Sequence, residues 1–66
     1  MDIRELFEKA CRAYQKHCRE SGVAYATPSI MYSDLNTPAG VVTLRNVNRT
    51  LASFTWDGKR LQGVRA

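Results

Sequence analysis

The chain is poor in the residues that carry most protein chemistry. It has one histidine, two cysteines and one tryptophan among 66 residues. There is no Cys-x-x-Cys pair, no Gly-x-Ser-x-Gly elbow and no glycine-rich phosphate loop. Hydrolytic catalysis needs a nucleophile, a base and an orienting group, and the sequence assembles no such set. Its glutamates, Glu5, Glu8 and Glu20, fall along one polar helix face and do not pair. No apolar run approaches the roughly 18 residues that a membrane-spanning helix requires. The opening Met1-Asp2-Ile3-Arg4-Glu5 lacks a secretory pattern, and Asp2 stands where myristoylation needs glycine. The expectation is a cytoplasmic, non-enzymatic protein with no cofactor, no metal and no membrane association.

The two cysteines fit that expectation. Cys11 and Cys18 are seven residues apart, which on a helix separates their Cα atoms by about 10.5 Å. A disulfide needs less than about 7 Å, so the two cannot bridge, nor can they share one metal ion. They read as small apolar residues, with Cys11 nearer the solvent. His17 neighbours Cys18, but adjacent helical residues point about 100° apart, so it reads as a core-edge histidine rather than a base or ligand. Asp34-x-Asn36 resembles the first two ligands of a calcium loop only superficially. Pro38 takes the third position and no closing glutamate follows. Asn48-Arg49-Thr50 matches a glycosylation acceptor but reads as turn chemistry.

What is present begins with a helix over residues 2–21. Ile3, Leu6, Phe7, Ala10, Tyr14, His17 and Cys18 recur at steps of three and four and form one stripe. Charged and amide side chains fill the opposite side. Asp2 is an N-cap with Glu5 three residues on, Glu5–Lys9 and Glu8–Arg12 are helical pairs, and Gly22 is a left-handed terminator.

Strands are predicted over about 23–27, 41–46, 50–56 and 59–64. The first is short and cut by Pro28, which cannot donate to a ladder, and Ile30-Met31-Tyr32 is read as resuming it after a bend. Residues 33–40 are a loop by composition. A three-residue loop of Val47, Asn48 and Arg49 sets Val42 opposite Phe54 and Leu44 opposite Ala52. Asp57-Gly58 predicts a two-residue hairpin with Trp56 opposite Lys59 and Phe54 opposite Leu61. The architecture is α+β in one domain. The amphipathic helix packs on one face of a three- or four-stranded antiparallel meander and covers Val42, Leu44, Ala52, Phe54, Trp56 and Leu61. Thr43, Arg45, Leu51, Ser53, Thr55, Arg60, Gln62 and Val64 then form an open face. A chain this short buries only about 60% of its unfolded surface, so association with a partner would stabilise it.

The net charge of +4 lies wholly in the second half. Residues 1–34 balance five basic against five acidic side chains, while residues 35–66 set five basic against Asp57 alone. The candidate binding residues are therefore Arg45, Arg49, Leu51, Lys59, Arg60, Val64 and Arg65. Two readings follow. The first is an interaction module that binds a protein partner or itself through the open face and edge, using Leu51 and Val64 among the arginines. The second is a nucleic-acid-binding module with the five basic residues on phosphates. The predicted open face lacks aromatic rings on which bases would stack, which favours the first.

Overall fold

The computed structural model describes residues 2–35 and 40–65. Residues 36–39 of the predicted loop, with Asn36 and Pro38, and the terminal Ala66 lie outside the described residues.

Helix α1 spans Ile3–Ser21. The Arg4 amide donates to Asp2 Oδ1 at 3.1 Å, so the N-cap forms as its sequence position predicts. At the other end Gly22 sits at φ 71°, and its amide and that of Val23 close on the Cys18 carbonyl. The stripe engages the sheet from Leu6 onward. Leu6, Ala10, Tyr14 and Cys18 are buried, Phe7, Cys11 and Ala13 flank them, and Ile3 stays exposed.

Three strands follow in a meander, β1 (Val41–Arg45), β2 (Thr50–Trp56) and β3 (Leu61–Arg65), in the spatial order β1-β2-β3. The β1–β2 register pairs Val42 with Phe54 and Leu44 with Ala52, as the hydrophobic alternation requires. Val42, Leu44, Ala52 and Phe54 all point at the helix and are buried. Leu44, with 0% of its surface exposed, is among the largest fully buried side chains.

The turn between these strands differs from expectation. It is tighter by a residue, with Val47 and Asn48 between an Asn46 amide that donates to the Arg49 carbonyl at 3.0 Å. The Asn46 side chain accepts from the amides of Asn48 and Arg49, which closes the turn without a glycine. A tight turn and the observed register are compatible because β2 carries a bulge. Leu44 pairs with Ala52 and Arg45 with Thr50, so Leu51 is the extra residue.

The second hairpin repeats the device. The Asp57 amide faces the Arg60 carbonyl at 3.5 Å, and Asp57 Oδ1 accepts from Lys59 and Arg60 at 2.8 and 2.9 Å. Gly58 and Lys59 are its central residues, not Asp57 and Gly58. Trp56 consequently pairs with Leu61 rather than Lys59, a slip of two residues from the predicted register. β3 then bulges as well. Thr55 pairs with Gln62 and Ser53 with Arg65, leaving Gly63 and Val64 opposite the single residue Phe54. Gly63 sits at φ +69°, a backbone conformation that side chains disfavour, and it supplies the bulge.

No strand forms over residues 23–27. Pro28 is buried and interrupts any ladder there. The chain instead reaches the outer edge of β1 one segment later. Ser29 N–H donates to the Arg45 carbonyl at 2.8 Å, and Asp34 and Thr43 exchange two bonds of 2.9 Å. The Ser33 hydroxyl donates to the Ser29 carbonyl and accepts from the Arg45 amide. Leu35, a loop residue by composition, is buried in the core just beyond the Asp34–Thr43 bridge.

Candidate interaction surface

The two bulges decide which side chains remain on the open face. Strict alternation along β2 places Leu51 outward, beside Ser53 and Thr55. The extra residue at the bulge turns it inward instead, and only 6% of its surface is exposed. Val64 follows the same course. The Gly63 bulge reverses the alternation of β3, so Val64 packs against the core beside Leu61 and Arg65 points out. Of the two apolar members of the predicted site, Leu51 therefore belongs to the core and Val64 is half-buried against it. The register slip in β3 leaves Leu61 on the helix side because it is an even number of residues. Trp56 is half-buried against the same core.

The basic members are all exposed, but they divide into groups. Arg45 and Arg49 flank the first turn, and Lys59 and Arg60 lie in the second. The seven residues of β2, at about 3.3 Å each, hold the two turns roughly 20 Å apart. Arg65 stands between them, opposite Ser53. Around it lies a shallow hollow of about 230 Å³ lined by Val41, Ser53, Phe54, Thr55, Gly63 and Arg65. A Cβ at Gly63 would meet nothing within 4 Å, so this part of the face is open.

A second hollow of about 200 Å³ lies between the helix and the start of β2, lined by Tyr14, Val23, Ala24, Arg49, Thr50 and Leu51. Burial pushes the Tyr14 phenol up, against the opposing influence of the Ala26 amide and the Arg49 charge. The Tyr14 ring packs on Tyr25 with centroids 5.2 Å apart and planes tilted by 37°. This pair closes the helix–loop seam, and Tyr25 keeps an exposed edge.

The remaining chemical groups are quiet. Both cysteines are free thiols, Cys18 buried and Cys11 half-buried. Burial, and then the Glu8 carboxylate, push the Cys11 thiol up, so it stays protonated and weakly nucleophilic at neutral pH. Cys18 lies 4.0 Å from the Ala24 carbonyl, toward which its S–H donates. His17 is half-buried at the edge of the stripe. Among the described residues no three His, Cys, Asp or Glu side chains gather in a way that would hold a metal ion. Nor is any helix among them long and apolar enough to cross a membrane.

Ile30-Met31-Tyr32 does not resume the first predicted strand. Ile30, Met31 and Tyr32 cap the turn at the outer edge of β1 and are exposed, Met31 at 86%. Their sequence resembles a strand fragment, and only the hydrogen bonds of Ser29 and Ser33 show that it is a turn. Comparison with protein-family models, curated proteins and solved structures found no match to this chain.

Proposed function

We propose that this chain is a small, non-enzymatic interaction module that binds a protein partner, or a second copy of itself, through the open sheet face and the outer edge of β3. One observation carries the reading, the inequality of the two sheet edges. On β1, the outward backbone groups of Thr43 and Arg45 are bonded by residues 29–34. On β3, among the described residues, no backbone group pairs with the outer side. An uncovered edge strand is a ready template for another chain. The contacting residues in this reading are the β3 backbone with Ser53, Thr55, Lys59, Arg60 and Arg65, and no longer Leu51 or Val64.

Sedimentation from micromolar to millimolar concentration, together with affinity capture by the wild type and by Leu61→Pro, tests it. The proline removes an outward donor at the edge. Concentration-dependent association, or capture of a protein that Leu61→Pro loses, is the expected result. A strict monomer whose captured proteins are the same for both chains would sink the reading.

Nucleic-acid binding is the alternative, supported by the exposure of Arg45, Arg49, Lys59, Arg60 and Arg65. Arg45 and Arg49 lie at one end of β2 and Lys59 and Arg60 at the other, with Arg65 between, and an open face without an aromatic ring among the described residues makes a poor stacking platform. That mode requires affinity for a single-stranded oligonucleotide that falls steeply with salt.

A further inference from the structure

We propose that the outer edge of β3 takes an acidic segment of another protein, which adds in extended conformation as a further strand with acidic and apolar residues alternating. This rests on the interaction-module reading above and narrows it to one partner chemistry.

The backbone sets the docking direction. β2 presents Ser53, Thr55 and Asp57 toward β3, where they meet Arg65, Gln62 and Arg60. In an antiparallel ladder the intervening residues turn their N–H and C=O outward, here those of Leu61 and Val64. Those two residues also keep their side chains on the helix side, partly buried. An added strand would extend that half-buried surface with apolar side chains on the same face.

Charge selects the other face. Lys59 and Arg60 stand at one end of β3 and Arg65 at the other, all exposed. The one acid of the hairpin, Asp57, has Oδ1 occupied by the Lys59 and Arg60 amides. The hollow is lined by Arg65, Ser53 and Thr55 together with Gly63 of the edge strand. Gly63 presents no side chain between edge and hollow. A carboxylate from the added strand can therefore lie across Gly63 and reach donors that suit it.

The same charges argue against a second copy as the occupant. An isologous antiparallel pair of β3 strands that sets the outward-facing Leu61 of each chain opposite Val64 of the other also sets Arg60 of each chain opposite Arg65 of the other. Two Arg60–Arg65 pairs, one at each end, then face each other with no acid to offset them, and like charges across a strand pair destabilise it. A basic, bulged edge suits a complementary chain and resists its own kind.

The test is an amide NMR titration of the full chain with the acetylated peptide Glu-Val-Glu-Val-Glu. Its parallels are the Lys-Val-Lys-Val-Lys peptide, the acidic peptide N-methylated along one edge, and oligo-dT. Shifts from the acidic peptide confined to residues 60–65, Ser53 and Thr55 are expected, with none from the N-methylated form. Arg60→Glu and Arg65→Glu, checked for retained amide dispersion, should each weaken binding by about tenfold. Equal binding of the N-methylated peptide would overturn strand addition, and it does so without any variant of the protein. Absence of shifts at millimolar peptide would overturn the proposal outright. If oligo-dT alone moves these amides, the nucleic-acid alternative replaces it. Concentration-dependent sedimentation without peptide shifts would overturn the acidic partner and leave the broader module reading standing.

Discussion

β1 and β3 are both five residues long and both flank β2, yet they are held very differently. β1 buries Val42 and Leu44 completely and has its outer backbone stitched to residues 29–34. β3 buries no residue fully, and its outer backbone meets nothing among the described residues. Turn chemistry does not explain the difference, because an Asx side chain closes each hairpin in the same way. Burial and edge cover do. One edge of this sheet is buried and covered and the other is not, and the proposed binding through β3 would accord with the general rule that binding elements come from the less stable part of a fold.

The largest effect should come from truncating the matched apolar residues of the two strands. Leu44→Ala removes a fully buried side chain and is expected to cost about 2–5 kcal/mol. A chain of 66 residues has roughly 3–10 kcal/mol of stability in total, so this variant should be close to unfolded. Leu61→Ala, on the half-buried strand, should cost roughly 1 kcal/mol. Urea titration of both variants measures the gap, and equal losses would erase the distinction between the strands.

Gly63→Ala comes next. It places a Cβ at φ +69° and should cost about 1–2 kcal/mol, while also weakening the inward turn of Val64. If thermal melting shows no loss, the bulge is not needed to hold β3. Ser33→Ala probes the other edge. It removes the acceptor for the Arg45 amide and the donor to Ser29, with an expected loss of about 0.5–1.5 kcal/mol. Faster hydrogen exchange should follow at Arg45 and not at Leu61. A change confined to β3 would contradict the proposed stitching.

The smallest effect separates the turns by pH. The amides of Arg60 and then Lys59, donating to its carboxylate, hold Asp57 below the ordinary value of 3.8. Its folded value is lower than its unfolded one, so its contribution is present above about pH 4 and is lost as pH falls through the folded value. Asn46 does the same work without titrating. Acidification should therefore move the amide signals of Lys59 and Arg60 and leave those of Asn48 and Arg49 in place. Asp57→Asn should remove the difference, and a shared titration of both turns would contradict it.

How far the sequence carries depends on the element. The helix was legible because period-3.6 spacing, an aspartate cap and Gly22 agree. The register of β1 against β2 was legible because shifting it by one residue moves Val42, Leu44 and Phe54 out of the core. The register of β3 was not, because a slip of two residues leaves every side chain on the same face. Hydrophobic alternation alone cannot distinguish such registers. The bulges at Leu51 and Gly63 were hidden for a related reason. Alternation assumes one residue for one partner, and a bulge breaks that count. Alternation therefore puts Leu51 and Val64 on the open face, whereas Leu51 is buried in the core and Val64 is half-buried against it. The exposure of the basic residues was readable from their type. The division of Arg45 and Arg49 from Lys59 and Arg60 across β2 rests on turn positions closed by the Asn46 and Asp57 side chains, which the strand pattern does not encode.

The placement of Trp56 also makes the molecule its own optical probe. The indole is the sole tryptophan and stands across from Leu61, where β3 joins β2. Its backbone amide is tied to Gly40 on the other side. Peeling β3 away would wet one flank of the ring while the helix and the first hairpin stayed intact. Its emission would then redden before far-ultraviolet ellipticity changed, and the lag between the two signals would time the departure of a single strand.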